Sequence, residues 1–204
     1  MRERYNWSQV RDERGVSLIT VMMVLLIMTL MGISILSITG FERQIASSVS
    51  ASEASVDAAE SCVSTGANVI MQSLQAHVVP ATLLSTAAPN PGPVPSTNQT
   101  QLNGELINDG GNQDVPVGTD PAGNPAVPNL SMTIGNYQVF GDIDRLYMQC
   151  AVGNDCSPGS ETMRLDIFYQ ITCVAQNTTT GITSQVGALY ACNNTGTFCQ
   201  PRPY

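Results

Sequence analysis

Cysteines are the side chains of this chain whose spacing says most about its chemistry. There are six, all in the later part of the sequence: Cys62, Cys150, Cys156, Cys173, Cys192 and Cys199. An even number favours disulfides in an oxidising compartment. Zinc is disfavoured because Cys150-x5-Cys156 and Cys192-x6-Cys199 lack the Cys-x2-Cys spacing of common zinc sites, and free thiols remain the other alternative. A preference for local pairs predicts Cys150–Cys156 and Cys192–Cys199, which leaves Cys62 to pair with Cys173.

Acid–base and metal chemistry have few residues to draw on. His77 is the only histidine, and we interpret it as structural, on the apolar face near the end of a helix, where a cation complements the helix dipole. A polar loop could offer oxygen ligands to calcium, but their spacing differs from an EF-hand and turn formation explains them better: Asn108, Asp109, Asn112, Asp114 and Asp120. We expect no metal, no cofactor and no enzymatic activity.

The charge balance excludes some classes of partner. The 204 residues include 16 acids, eight arginines and no lysine, with a formal net charge of −8. A nucleic-acid-binding protein carries a basic patch, and a peripheral membrane protein needs basic residues to bind anionic lipid. We therefore expect neither a nucleic-acid partner nor charge-driven membrane binding.

Residues 16–41 form an uncharged apolar segment. As a helix its 26 residues measure about 39 Å, enough to cross a bilayer core of about 30 Å, and it is longer than the apolar region of a secretory signal. Residues 1–15 carry four of the eight arginines. The positive-inside rule therefore predicts a single-pass anchor with residues 1–15 in the cytoplasm and the remainder outside.

The junction Arg14-Gly15-Val16 resembles the class III signal of type IV pilins and type II secretion pseudopilins. This resemblance implies that a prepilin peptidase cuts between Gly15 and Val16 and methylates the new amino group of Val16. Major pilins carry a glutamate as the fifth residue after the cut, where this chain has Thr20. In that family the glutamate pairs with the terminal amine of a neighbouring subunit. Members without it are PilX-type minor pilins and K-type pseudopilins, which lie at or near the tip.

The following stretch is similar to PilX-type pilins over about the first third of the chain. The similarity rests on Gly32, Thr39, Glu42-Arg43 and Ala58-Ala59-Glu60. Residues 42–79 form the amphipathic half of the predicted helix, with one face built from Ile45, Val49, Ser52, Val56, Ala59, Val63, Gly66, Ile70, Ser73 and His77. Glu53, Asp57 and Glu60 lie on another face, which we expect to be solvated. The helix runs from about residue 16 to about residue 78, either unbroken or as two helices.

The remaining chain divides into a loop and a sheet. Residues 80–130 contain nine of the 12 prolines and predict a long irregular loop. Residues 131–204 predict a small antiparallel sheet with a disulfide-bonded tail, with strands at 132–134, 137–140, 146–149, 165–174 and 182–191. Asp142 and Asp144 are expected in a turn. The predicted fold class is α+β, pilin-like, with a long N-terminal helix packed on the sheet.

The resemblance implies a minor pilin that helps to prime type IV pilus assembly in a tip complex. Its expected partners are other minor pilins, the major pilin, a tip adhesin, the prepilin peptidase and the inner membrane. The sheet domain would be periplasmic before it joins the pilus. Two alternatives stay open: a K-type pseudopilin, disfavoured because those usually carry a larger inserted α-domain, and a membrane-anchored extracytoplasmic enzyme or binding domain.

Overall fold

The computed structural model describes residues 13–107, 115–119, 126–153, 156–157, 164–194 and 199–201. The chain divides into two compact units, Met1–Ser50 and Ala51–Tyr204. One unbroken helix, α1 (Glu13–Ala76), supplies residues to both units, so the two-helix alternative is wrong. It begins three residues before the predicted start, and it lacks proline throughout, as an unbroken helix requires.

The end of α1 differs from the prediction for His77. This residue lies just after the helix and is exposed, with a left-handed φ of 55°. The N–H of Val78 donates to the carbonyl oxygen of Ser73 at 3.2 Å, which is the hydrogen bond of a Schellman cap. The prediction that His77 lies on the apolar face is therefore wrong, because the chain turns out of the helix there and buries Val79 instead.

The buried face of α1 is rotated slightly from the predicted one. Its buried residues are Ser55, Ala58, Ala59, Cys62, Gly66, Val69, Ile70 and Ser73. Val56 and Val63 are only half-buried, and Ser52 is exposed. The predicted face thus overlaps only one side of the buried face. Small residues such as Ala58 and Ser55 allow α1 to pack closely on the sheet, but they contribute little to a hydrophobic pattern in the sequence.

Within the described residues, five strands form one antiparallel sheet in sequence order. They are β1 (Leu130–Ile134), β2 (Tyr137–Cys150), β3 (Leu165–Asn177), β4 (Thr183–Asn194) and β5 (Cys199–Pro201). The expected turn at Asp142 and Asp144 is wrong, because β2 pairs with β3 along its whole length and joins two predicted strands. The pairing of β2 with β3 skips one residue between Arg145 and Tyr147, as in a β-bulge.

The predicted loop over residues 80–130 contains a second helix, α2 (Gln99–Ile107), so its description as irregular throughout is wrong. Leu102 and Leu106 lie four residues apart and are both fully buried, which gives this short helix an apolar side. The buried amide of Asn129 links it to the sheet: its Nδ2 donates to Glu105 Oε2 at 2.9 Å, and its Oδ1 accepts from the N–H of Ile143 at 2.6 Å.

Tyr169 makes a second buried polar contact between the sheet and α2. Its hydroxyl donates to the carbonyl oxygen of Leu106 at 3.0 Å. Burial raises the pKa of this phenol above its ordinary value, so the side chain stays a neutral hydrogen-bond donor. Buried polar groups need such partners, and these contacts fix α2 against β2 and β3.

A disulfide between Cys62 of α1 and Cys173 of β3 joins helix to sheet, with the two sulfurs 2.08 Å apart. It occupies space left by glycine: a Cβ on Gly141 would lie 2.7 Å from Cys62 Sγ and 3.1 Å from Cys173 Sγ. Gly66 permits a similar approach, because a Cβ there would lie 3.0 Å from Ile171 Cγ2. The helix can therefore lie against the sheet at the depth that the disulfide requires.

The other cysteines are also oxidised in the part of the chain that the structure describes. Cys150 pairs with Cys156, so this pair and Cys62–Cys173 are both pairs that we predict from the sequence. Cys192 is disulfide-bonded, but the side chain of Cys199 lies outside the described residues. The Cys192–Cys199 pair stays a prediction.

We predict that loss of the Cys62–Cys173 disulfide destabilises the protein most. It spans 111 residues, and the chain-entropy model gives roughly 2–5 kcal/mol for removing a bridge of this kind. The double variant Cys62→Ala/Cys173→Ala is compared with Cys150→Ala/Cys156→Ala, which opens a span of six residues and should cost about 2 kcal/mol or less. Urea unfolding of the full chain in detergent, followed by tyrosine fluorescence, measures both. Equal losses would contradict the prediction.

Candidate functional site

The first candidate region is the apolar part of α1. Every described side chain from Ser17 to Ser50 is exposed, including Leu36 at 73 % and Leu18 and Phe41 at 67 %. Exposed aliphatic side chains over so long a helix are unfavourable in water but suit a lipid environment. Of the described helices, α1 is the one that is long and apolar enough to cross a membrane. The chain therefore has an element suited to single-pass anchoring.

Hydroxyl groups in this apolar part bond within their own helix. Thr20 Oγ1 donates to the carbonyl oxygen of Ser17 at 2.9 Å, and Thr29 Oγ1 donates to that of Leu26 at 2.8 Å. Ser34, Ser37 and Thr39 do the same with carbonyls three or four residues earlier. Such bonds remove most of the cost of placing a hydroxyl in hydrocarbon. Thr20 is thus compatible with the membrane interior without a partner from another chain.

The predicted processing bond, Gly15–Val16, lies in the first turns of α1. The side chains of residues 13–16 lie outside the described residues. A peptidase acts on extended backbone, so cleavage here requires these first turns to unwind. Glycine weakens a helix by roughly 0.5–1 kcal/mol relative to alanine, and helix ends fray readily, so Gly15 lies at a position where unwinding is easy.

The acidic residues of α1 lie on its solvent side, as we predict. Glu53, Asp57 and Glu60 are all exposed. Asp57 also borders an open cavity of about 530 Å³ beside the β1–β2 turn, which includes Tyr137 and Asn177. The hydroxyl of Tyr137 donates to the carbonyl oxygen of Ala51 at 3.1 Å, and this bond holds the turn against the helix.

Metal and catalytic residues are not gathered anywhere in the part of the chain that the structure describes. There, no group of three or more histidine, cysteine, aspartate or glutamate side chains is placed to hold a metal. The predicted loop oxygens of Asn108, Asp109, Asn112, Asp114 and Asp120 all lie outside the described residues. His77 is exposed at the end of α1.

The predicted functional residues fall into two groups. Gly15, Val16 and Thr20 belong to the first unit, and the paired cysteines belong to the second. Sequence reasoning missed Glu105, whose carboxylate is 2 % exposed inside the second unit. The available signal was the pair Leu102 and Leu106 in a stretch without proline, which indicates a helix that could carry a buried acid.

Comparison with known proteins identifies no relative of this chain. The chain matches no protein-family model, no curated protein and no solved structure. Its assignment therefore rests on its own residues and geometry.

Proposed function

We propose that this chain is a PilX-type minor pilin that primes type IV pilus assembly as part of a tip complex. The observation that supports this most is the coupling of the Arg14-Gly15-Val16 junction to a single helix. That helix contains 26 uncharged residues and runs without a break from Glu13 to Ala76. A membrane anchor for an unrelated domain needs neither a glycine at its cytoplasmic start nor continuity with the core helix of the exported domain.

The second unit supports the same proposal. Its helical part lies on a small antiparallel sheet and is bonded to it through Cys62 and Cys173. In a pilus subunit, force on the anchor passes through the helix into the globular part. A covalent link between α1 and β3 keeps the helix on the sheet under such force, whereas a packed apolar face alone could slide or peel.

Thr20 supports a position at the tip. The family glutamate at this place pairs with the terminal amine of a neighbouring subunit. Thr20 instead donates its hydroxyl to Ser17 of its own helix. A subunit with no charge at this depth cannot make that ion pair, so it suits the end of a filament better than the middle.

The proposed location follows from the charges at the ends of the anchor. Residues 1–15 lie in the cytoplasm and Ala51–Tyr204 in the periplasm, until the subunit leaves the inner membrane for the pilus tip. Its partners there are other minor pilins, the major pilin and a tip adhesin, and we propose no catalytic role. A K-type pseudopilin of a type II secretion system would share the junction and Thr20, so the deletion phenotype below separates the two.

Processing provides the first test. In cells with an active prepilin peptidase, we expect a mature chain that begins at Val16 with a methylated amine. That chain retains four arginines and 13 acids, so it is more acidic than the precursor. Intact-mass spectrometry of membranes from cells with and without the peptidase measures this. Retention of Met1 in both strains, or a cut after the apolar segment, would overturn the pilin proposal.

Substitution of Thr20 provides the second test. Thr20→Glu places a carboxylate in the apolar segment without a partner, at a cost of up to about 3 kcal/mol. We expect it not to raise pilus number and not to move the subunit into the shaft, as judged by immunogold labelling. The matched control Thr20→Val removes only the hydroxyl and should keep normal pilus numbers. Labelling along the shaft in Thr20→Glu would contradict the tip position.

Deletion of the gene tests the priming role. We expect far fewer surface pili, while the major pilin still accumulates in the membrane because its synthesis does not depend on initiation. Electron microscopy counts the pili, and an immunoblot of membranes measures the pilin. Normal pilus numbers together with a defect in type II secretion would instead identify the pseudopilin alternative.

A further inference from the structure

Within the part of the chain that the structure describes, the outer edge of β4 is paired only at one end. β3 pairs with one edge of this strand throughout, but β5 pairs with the other edge only at Cys192, Asn193 and Asn194. Among the described residues, none forms a ladder with the outer edge from Thr183 to Ala191. Ala191 is buried, so the open edge comprises residues 183–190 and measures about 27 Å at 3.4 Å per residue.

The hydrogen-bond alternation of the sheet shows which backbone groups this edge offers. The N–H of Asn177 donates to the carbonyl oxygen of Ile182 at 2.8 Å, so the pair formed by these two residues is a hydrogen-bonded one. Hydrogen-bonded pairs alternate along an antiparallel ladder, and the residues at even positions of β4 therefore bond to β3. The N–H and C=O groups that face outward along the open edge belong to Thr183, Gln185, Gly187 and Leu189.

The open edge lacks the features that usually protect an edge strand. Native edges are commonly blocked by charged side chains, proline or bulges. Residues 183–190, with the sequence TSQVGALY, contain no charged residue and no proline, and their register with β3 has no shift. A long, regular and uncharged edge of this kind is a template for another strand.

The flank of α1 toward β4 carries apolar side chains, and together with Val186 and Tyr190 of β4 they are called the apolar groove below. The disulfide places Cys62 of α1 over β3, and Asp57 marks the flank of α1 that faces the β1–β2 turn. Val56, Val63 and Ala67 lie on the opposite flank by helical geometry, which is the flank toward β4. The hydrogen bond between the hydroxyls of Ser55 and Ser184 agrees with this placement.

The groove residues on both elements are incompletely covered. Val63 and Ala67 of α1, and Val186 and Tyr190 of β4, are half-buried and pack on the edge of the core. A strand added to β4 would direct alternate side chains toward α1, where they would cover these four residues. Backbone bonding and apolar burial would then occur at the same place.

We propose that β4 binds an extended strand of another polypeptide, with valine-like side chains toward α1 and basic residues at its ends. The exposed carboxylates of Glu53 and Glu60 lie on the solvent side of this flank of α1 and favour a basic partner. A second copy of this chain is a poorer occupant, because two-fold pairing of β4 strands would bring the same acidic residues toward each other. This proposal stands apart from the pilin assignment.

The probe is a nine-residue peptide of alternating threonine and valine with lysine at both ends, acetylated and amidated. It is added to the full chain in detergent, and amide exchange is followed by NMR. We expect the N–H groups of Thr183, Gln185, Gly187 and Leu189 to exchange rapidly in the free chain and to become protected as the peptide saturates. Absence of saturable protection overturns the proposal.

Two variants test the mode of binding. Gln185→Pro removes an outward N–H and leaves the ladder to β3, as edge prolines do, and it should weaken peptide binding about tenfold. Gln185→Ala keeps that N–H and should bind normally. Val63→Glu, with Val63→Ile as its control, tests the groove without touching β4, so the test does not depend on the folding of the proline variant. Equal binding by all four variants overturns the proposal.

The same measurements distinguish a basic peptide strand from an acidic one and from a second copy of this chain. A peptide with glutamate at both ends should bind about tenfold more weakly, and equal binding would overturn the requirement for a basic partner. Protection of the N–H groups of Thr183, Gln185, Gly187 and Leu189 in the free chain that disappears on dilution, and disappears in Gln185→Pro, would mean that a second copy occupies the edge. That result also overturns the proposal.

Discussion

The structure of the second unit depends on one close approach, that of α1 to the middle of the sheet. Cys62 and Cys173 bond at a point where Gly141 has no side chain, and Gly66 allows Ile171 to lie close to the helix axis. A Cβ on Gly141 would clash with the sulfur of Cys62 and lie in tight contact with that of Cys173. This contact fixes which face of α1 is buried, and so decides that Ser55, Ala58 and Ala59 lie inside while the acidic residues lie outside.

The elements with strong periodicity were predictable from the sequence. An uncharged run of 26 residues followed by a polar amphipathic stretch without proline predicts a long helix, and strands rich in β-branched residues predict β3 and β4. The Cys62–Cys173 pair also follows once the local pairs are assigned. These predictions succeed because each rests on many residues that agree with each other.

The errors occurred where a single local signal opposed the tertiary structure. Asp142 and Asp144 suggested a turn, yet both lie inside the long strand β2. Among so many prolines, α2 carries only three aliphatic residues, Leu102, Leu106 and Ile107, as an apolar signal. His77 suggested the apolar face by its spacing, but the helix had already ended at Ala76. No local pattern could reveal that, within the described residues, β5 would pair with only one end of β4.

The long sequence separation between Cys62 and Cys173 has a consequence for folding during export. If the chain crosses the membrane from its anchor outward, Cys62 emerges first and meets Cys150 and Cys156 before Cys173 arrives. Because 111 positions separate Cys62 from Cys173, the thiol of Cys62 could form a disulfide with Cys150 or Cys156 first. The short Cys150–Cys156 loop costs less chain entropy to close and removes both competitors as soon as they appear. Under that condition, early closure of the Cys150–Cys156 pair would leave Cys62 free for Cys173, the residue with which it joins helix to sheet.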